Sequence, residues 1–84
     1  MKNKFLIKLY VPMIDCEYEI YIPSNESVQK VMELVLKSIS ELSDGALDKT
    51  KKYHFLDPDS STVYKNNQII RDTNITNSKK IILI

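Results

Sequence analysis

Lys79-Lys80-Ile81-Ile82-Leu83-Ile84 decides the fold. A strand with one wet face alternates apolar and polar residues, but this run is apolar on both parities. A central strand, with neighbours on both sides, has that pattern. Ile81 and Leu83 then point to one face, Ile82 and Ile84 to the other. The rest of the chain must supply a strand on each side and a layer to cover one face.

Working outward, the first segment able to pair with it is Lys4-Phe5-Leu6-Ile7-Lys8-Leu9-Tyr10-Val11. Phe5, Ile7, Leu9 and Val11 share one face; Lys4, Leu6, Lys8 and Tyr10 share the other. Pro12 ends this strand because it cannot donate to a ladder. Met13-Ile14-Asp15 makes the bend, and Cys16 to Ile22 alternates again. Tyr18, Ile20 and Ile22 face in; Glu17, Glu19 and Tyr21 face out. Lys4 and Lys8 on one strand and Glu17 and Glu19 on the next favour a hairpin, by a few tenths to about 1 kcal/mol per cross-strand pair.

After Pro23 the apolar period changes. Ser24-Asn25-Glu26-Ser27 is rich in helix-capping residues. Val28, Val31, Met32, Val35, Ile39 and Leu42 then recur at three- and four-residue steps, as one stripe of an amphipathic helix. Leu34 and Leu36 widen the stripe, while Gln29, Lys30, Glu33, Lys37, Ser40 and Glu41 make the wet side. Gly45 is the only glycine and stands where a left-handed cap is wanted, so the helix stops near Ser43-Asp44. Ala46 to Lys52 reads as a polar, mobile connector anchored at Leu47. Tyr53 to Leu56 and Thr62 to Tyr64 are short strands around the turn Asp57 to Ser61; Lys65-Asn66-Asn67 is a second turn. Gln68 to Ser78 is irregular, with apolar anchors at Ile69, Ile70 and Ile75.

The order is β-β-α-β-β-β. It predicts a single domain over 1–84 of the α+β class: a β-grasp arrangement, with a mixed four- to five-stranded sheet packed on one helix. The last strand then lies parallel to the first. Ile70-Arg71-Asp72-Thr73-Asn74-Ile75, followed by a polar turn and the final strand, resembles the ubiquitin signature "L-x-D-x-x-I". Ser27-Val28-Gln29-Lys30-Val31, Val63-Tyr64 and the blunt Ile84 end resemble more closely the bacterial ubiquitin-like family of the YukD/EsaB type. That family accompanies type VII (WXG100-exporting) secretion machines. The resemblance spans nearly the whole chain, with the connector Ala46–Lys52 and the turn Asp57–Ser61 as departures. It implies a partner from a secretion system. Read from the residues themselves, Asp72 bonds the backbone of its own turn, and Ile70 and Ile75 close the lower rim of the core.

Composition narrows the function classes. In 84 residues, 12 Lys and Arg stand against 11 Asp and Glu, a net charge of +1 with the signs interleaved. That balance lacks the concentrated basic face nucleic acid requires. No apolar run approaches the roughly 18 residues of a membrane helix, so no membrane insertion is expected, and the reading is cytoplasmic. One cysteine and one histidine leave no cysteine framework, zinc spacing or Ser-His-Asp triad, and no cofactor motif occurs. Cys16 has inward parity and no adjoining basic residue, which reads as a buried, inert thiol. Asp57-Pro58-Asp59-Ser60-Ser61-Thr62 superficially resembles a calcium loop but lacks the glycine and distal glutamate. Lys49, Lys51 and Lys52 with Lys79 and Lys80 form a small basic group or a solvated edge. Conjugating modifiers and sulfur carriers share a flexible Gly-Gly tail, whereas Ile82-Leu83-Ile84 reads as strand. The expectation is therefore no enzyme and no conjugation.

What rises above background is the sheet's outer face. Leu6, Tyr10, His54, Ile82 and Ile84, with Leu56, would lie side by side there as a partner-binding patch. The expected protein is a monomer or weak homodimer that docks a protein. The alternatives are a ubiquitin-like adaptor of unrelated or mobile-element origin and a truncated sulfur carrier without its tail.

Overall fold

The computed structural model describes residues 3–48 and 50–84. Strands β1 (Lys4–Val11) and β2 (Cys16–Pro23) form an antiparallel hairpin. Pro12 starts a 3-10 turn over Pro12–Ile14, and Asp15 leaves it in the left-handed region (φ 48°). The Tyr10 hydroxyl donates to Asp15 Oδ1 at 2.9 Å and ties the turn to the strand. The register places Lys8 opposite Glu19 and Tyr10 opposite Glu17, while Lys4 falls opposite Pro23. Among the described residues no hairpin ion pair closes within 4.0 Å. The hairpin's alternation therefore comes from apolar burial: Ile7, Leu9, Val11 and Ile22 are buried.

Helix α1 spans Val28–Leu42. Ser27 is its N-cap, accepting the Lys30 N–H at 3.1 Å. Ser27→Ala is expected to cost about 1 kcal/mol, read as a midpoint about 4–8 °C lower in thermal denaturation. The helix ends through Asp44 (φ 55°) and Gly45 (φ 79°), whose N–H donates to the Ser40 carbonyl at 2.8 Å. Glycine adopts that φ without the Cβ penalty other residues incur. Val28, Val31, Met32, Val35 and Ile39 face the sheet as the period requires. Two expectations fail at the helix's far end. Leu42 is 64% exposed although it continues the stripe, and Ser40 is buried although it was assigned to the wet side. Periodicity assigns a residue to a face but does not say how far the sheet extends beneath it. Ser40 lies one turn beyond Leu36, on the flank where the chain returns and Leu47 packs into the core. Leu34 is exposed as well, so only Leu36 widens the stripe.

The sheet has five strands in the order β2-β1-β5-β3-β4, with β3 at Phe55–Asp57, β4 at Thr62–Val63 and β5 at Lys80–Leu83. β5 lies parallel to β1 and antiparallel to β3, at the centre. Ile81 and Leu83 are buried and Ile82 is half-buried on the opposite face, as their parities predict. His54 and Ile84 exchange backbone hydrogen bonds (2.7 and 3.0 Å), extending the β3–β5 ladder by one residue on each side. Tyr53 lies ahead of β3 and is buried. The irregular segment is better organised than its sequence suggests. Ile70 donates to the Glu26 carbonyl, Arg71 to that of Ser24, and Val28 to that of Gln68, stitching it to the helix entry. Ile70 and Ile75 are fully buried and close the core. Thr73, not Asp72, holds their turn: its hydroxyl donates to the Ile70 carbonyl (2.6 Å) and accepts from the Ile75 N–H (3.1 Å). Asp72 is exposed, and no side-chain bond of it occurs among the described residues. Cys16 is half-buried and donates to the Ile14 carbonyl, which corrects the expectation of a fully buried thiol.

Candidate functional site

The register assembles one apolar row across the outer face. Tyr10 on β1 lies opposite Ile82 on β5, Ile82 opposite Leu56 on β3, and Leu56 opposite Val63 on β4. Tyr10, Ile82 and Leu56 are half-buried and Val63 is 46% exposed. The exposed His54 and Ile84 pair beside this row. On its other side Lys8 and Lys80 lie opposite each other, both exposed, and Glu19 lies opposite Lys8.

This arrangement unites four of the five residues singled out from the sequence: Tyr10, His54, Ile82 and Ile84. Leu6 stands apart. It lies opposite Tyr21, its N–H bonds Asn77 Oδ1 (2.9 Å) and its carbonyl accepts from Ser78 (2.6 Å). The charged row of Lys8 and Lys80 therefore separates Leu6 from Ile82. Alternation put Leu6 and Tyr10 on one face, but neighbours across strands depend on register, which alternation leaves open. Val63 was missed because a two-residue strand carries no alternation. Tyr10 has its pKa raised, first by the hydrogen bond to Asp15 and then by that carboxylate's charge. Its ring thus stays a neutral, anchored part of the row.

Among the described residues, the connector packs on the helix side and not over this face. Leu47 is buried in the core, and the Tyr53 hydroxyl donates to the Asp48 carbonyl at 2.6 Å. Leu36, Lys37, Leu47 and Tyr53 line a shallow cleft of about 270 Å³ on the helix side. Lys49 of the expected basic group lies outside the described residues.

Lys79 does not belong to a basic patch either. Its ammonium lies 2.8 Å from Asp57 Oδ1 and 2.7 Å from Asp59 Oδ2. The turn that superficially resembles a calcium loop thus holds a cation of the chain's own. Asp57 has only 2% of its side chain exposed. Besides Lys79 it accepts from the Asp59 N–H (3.0 Å), Ser60 Oγ (3.0 Å) and Asn74 Nδ2 (2.7 Å). The Lys79 ammonium first, then Asn74, hold the Asp57 carboxyl far below the usual carboxylate range, against the opposing effect of burial. The same carboxylates push Lys79 above its ordinary value. Tyr64 donates to Asn74 Oδ1, and its phenol is pushed up to about 12 by burial and by the Asp57 charge. With four donors on one carboxylate, the cluster is a structural lock between the β3–β4 turn and the segment entering β5, not an acid–base site. Among the described residues no group of three His, Cys, Asp or Glu side chains is placed to hold a metal ion. Among them, no helix is long and apolar enough to cross a membrane.

No protein-family profile matches the chain, and no curated protein does. Solved structures match over nearly its full length. The ubiquitin-like domain of the Mycobacterium tuberculosis type VII secretion system protein ECCD1 superposes with a TM-score of 0.76 at 13% identity, covering 96% of this chain and 97% of that one. The EccD5 ubiquitin-like domain from Mycobacterium xenopi gives 0.77 at 11% identity, covering 96% and 92%. A chain of the MycP5-free ESX-5 inner membrane complex gives 0.71 at 10% identity, over 98% of this chain and 21% of that one. A toluene 4-monooxygenase complex shares the fold to a similar degree. The chain has the α+β ubiquitin-like fold, and it resembles the ubiquitin-like domains of type VII secretion proteins in that fold.

Proposed function

We propose that the chain is a non-catalytic, non-conjugating ubiquitin-like interaction domain of the YukD/EsaB kind. It docks through the outer sheet face onto a protein of a type VII secretion assembly. The observation that carries the docking reading is the row Tyr10–Ile82–Leu56–Val63, aligned by register across four strands and bordered by Lys8 and Lys80. An apolar centre with Lys8 and Lys80 along one side, and Glu17 beyond Tyr10 at its β2 end, fits a partner surface of aliphatic side chains that sets carboxylates against the two lysines. The likeness to EccD ubiquitin-like domains, and to a domain inside a secretion complex, supports the choice of system. The fold alone is shared with unrelated machinery, so the system is tested separately from the face.

The test is capture from the native cell with wild type and Ile82→Asp side by side, the bound proteins being identified by mass. Ile82 is only half-buried, so the variant is expected to fold, with a loss of about 1 kcal/mol. A type VII component held by wild type and lost by the folded variant is the expected result. Equal capture by both would refute the face. A partner from an unrelated system, lost by the variant, would keep the face and refute the secretion assignment.

A further inference from the structure

Strand β2 forms one edge of the sheet, and at eight residues it is far longer than the two-residue β4 at the other edge. The Ser24 N–H bonds the Asn3 carbonyl at 2.7 Å, which fixes the phase of the hairpin ladder. In that phase Cys16, Tyr18, Ile20 and Ile22 direct their backbone groups at β1. Glu17, Glu19 and Tyr21 direct theirs outward, and among the described residues nothing bonds them. Pro23 offers no N–H and limits the free edge at that end.

The side chains along this edge are not uniform. Glu17, Glu19 and Tyr21 are exposed on the outer face. Tyr18 and Ile20 point inward, yet stay half-buried while Ile22 beyond them is 2% exposed. The inner face thus carries an apolar shelf that one more strand would cover. We propose that the β2 edge receives an extended segment of a partner protein, with aliphatic side chains inward over Tyr18 and Ile20 and basic side chains outward beside Glu17 and Glu19. Main-chain bonds to Glu17, Glu19 and Tyr21 supply affinity, and the two carboxylates supply the choice of partner. Lys8 lies opposite Glu19 without an ion pair inside 4.0 Å, so that carboxylate is available to a newcomer. A second copy continuing the sheet through the same edge would place four carboxylates together on one face, which disfavours self-pairing.

The probe is a short acetylated, amidated peptide alternating valine and lysine, titrated into the isotope-labelled full chain. In the free protein, amide exchange should be slow at Tyr18, Ile20 and Ile22 and fast at Glu17, Glu19 and Tyr21. On binding, these last three should slow by about tenfold or more, the others staying as they were. A valine–glutamate peptide should bind about tenfold more weakly, and Glu17→Lys with Glu19→Lys should reverse the preference. Peptide methylated on the backbone nitrogens that face the edge should not bind, a control that needs no protein variant. Absence of protection at the three amides at millimolar peptide overturns the proposal, and so does equal binding of the two peptides. Shifts confined to Tyr10 and Ile82 also overturn it. Concentration-dependent protection of the three amides without peptide would assign the edge to a second copy instead. Ile82→Asp should leave peptide binding intact, so failure here is distinct from failure of the outer-face reading.

Discussion

Asp57→Ala is expected to destabilise the domain by about 2–4 kcal/mol, because a donor left without its acceptor costs about 1–3 kcal/mol and Lys79 is left with one carboxylate instead of two. The carboxylate satisfies Lys79, Ser60, Asn74 and the Asp59 N–H at once; without it Lys79 keeps Asp59 and Ser60 keeps Thr62, but Asn74 Nδ2 and the Asp59 N–H lose their acceptor. For a domain of this size, total stability is about 5 kcal/mol or somewhat more, so the variant should lose a large part of it. Urea denaturation at neutral pH measures it; a loss under about 1 kcal/mol would show that the cluster is not a lock. The pH dependence follows from the directions of the shifts. Asp57 has a folded pKa below its unfolded value, so its contribution is complete above about pH 5 and is lost as pH falls through and below about 3.9. Lys79 has a raised folded pKa, so its contribution is complete below about pH 9 and is lost as pH rises past about 10.4. Wild type should therefore hold a plateau between those limits, and Asp57→Ala should show a shallower acid slope.

Ile81→Asp and Ile82→Asp, adjacent in sequence, should have opposite outcomes. Ile81 is 1% exposed beneath the helix, on the face shared with Leu9 and Phe55. A carboxylate there loses its hydration with no partner, at a cost of several kcal/mol on top of about 2–5 kcal/mol for the deleted apolar side chain. The sum exceeds the stability of the domain, and the chain should be unfolded at 25 °C. Circular dichroism and amide dispersion read both variants directly. A folded Ile81→Asp, or an unfolded Ile82→Asp, would mean that the two faces of β5 are assigned the wrong way round.

That contrast was legible before any coordinates, because parity in a strand follows from geometry alone. The same holds for the helix stripe through Ile39, the left-handed exit at Gly45, the central place of the last strand and the order of elements. Each is a local preference or a short period, written in consecutive residues. The sequence reading went astray wherever the answer depended on residues far apart. Lys79 looked like part of a basic run, yet its ammonium meets carboxylates twenty and twenty-two positions away. Asp57 looked like an ordinary turn residue and is buried. Leu6 looked like a neighbour of Ile82 and is separated from it by a charged row.

What the sequence determined by itself is the order of the elements and which way the side chains of the longer strands and of the helix stripe through Ile39 point, since these follow from the backbone geometry of a few residues. What only the tertiary structure decided is which outward side chains become neighbours, which charges find partners and which strand edge stays unpaired. Register and long-range closure set those, and a single chain records them at positions that no local pattern links.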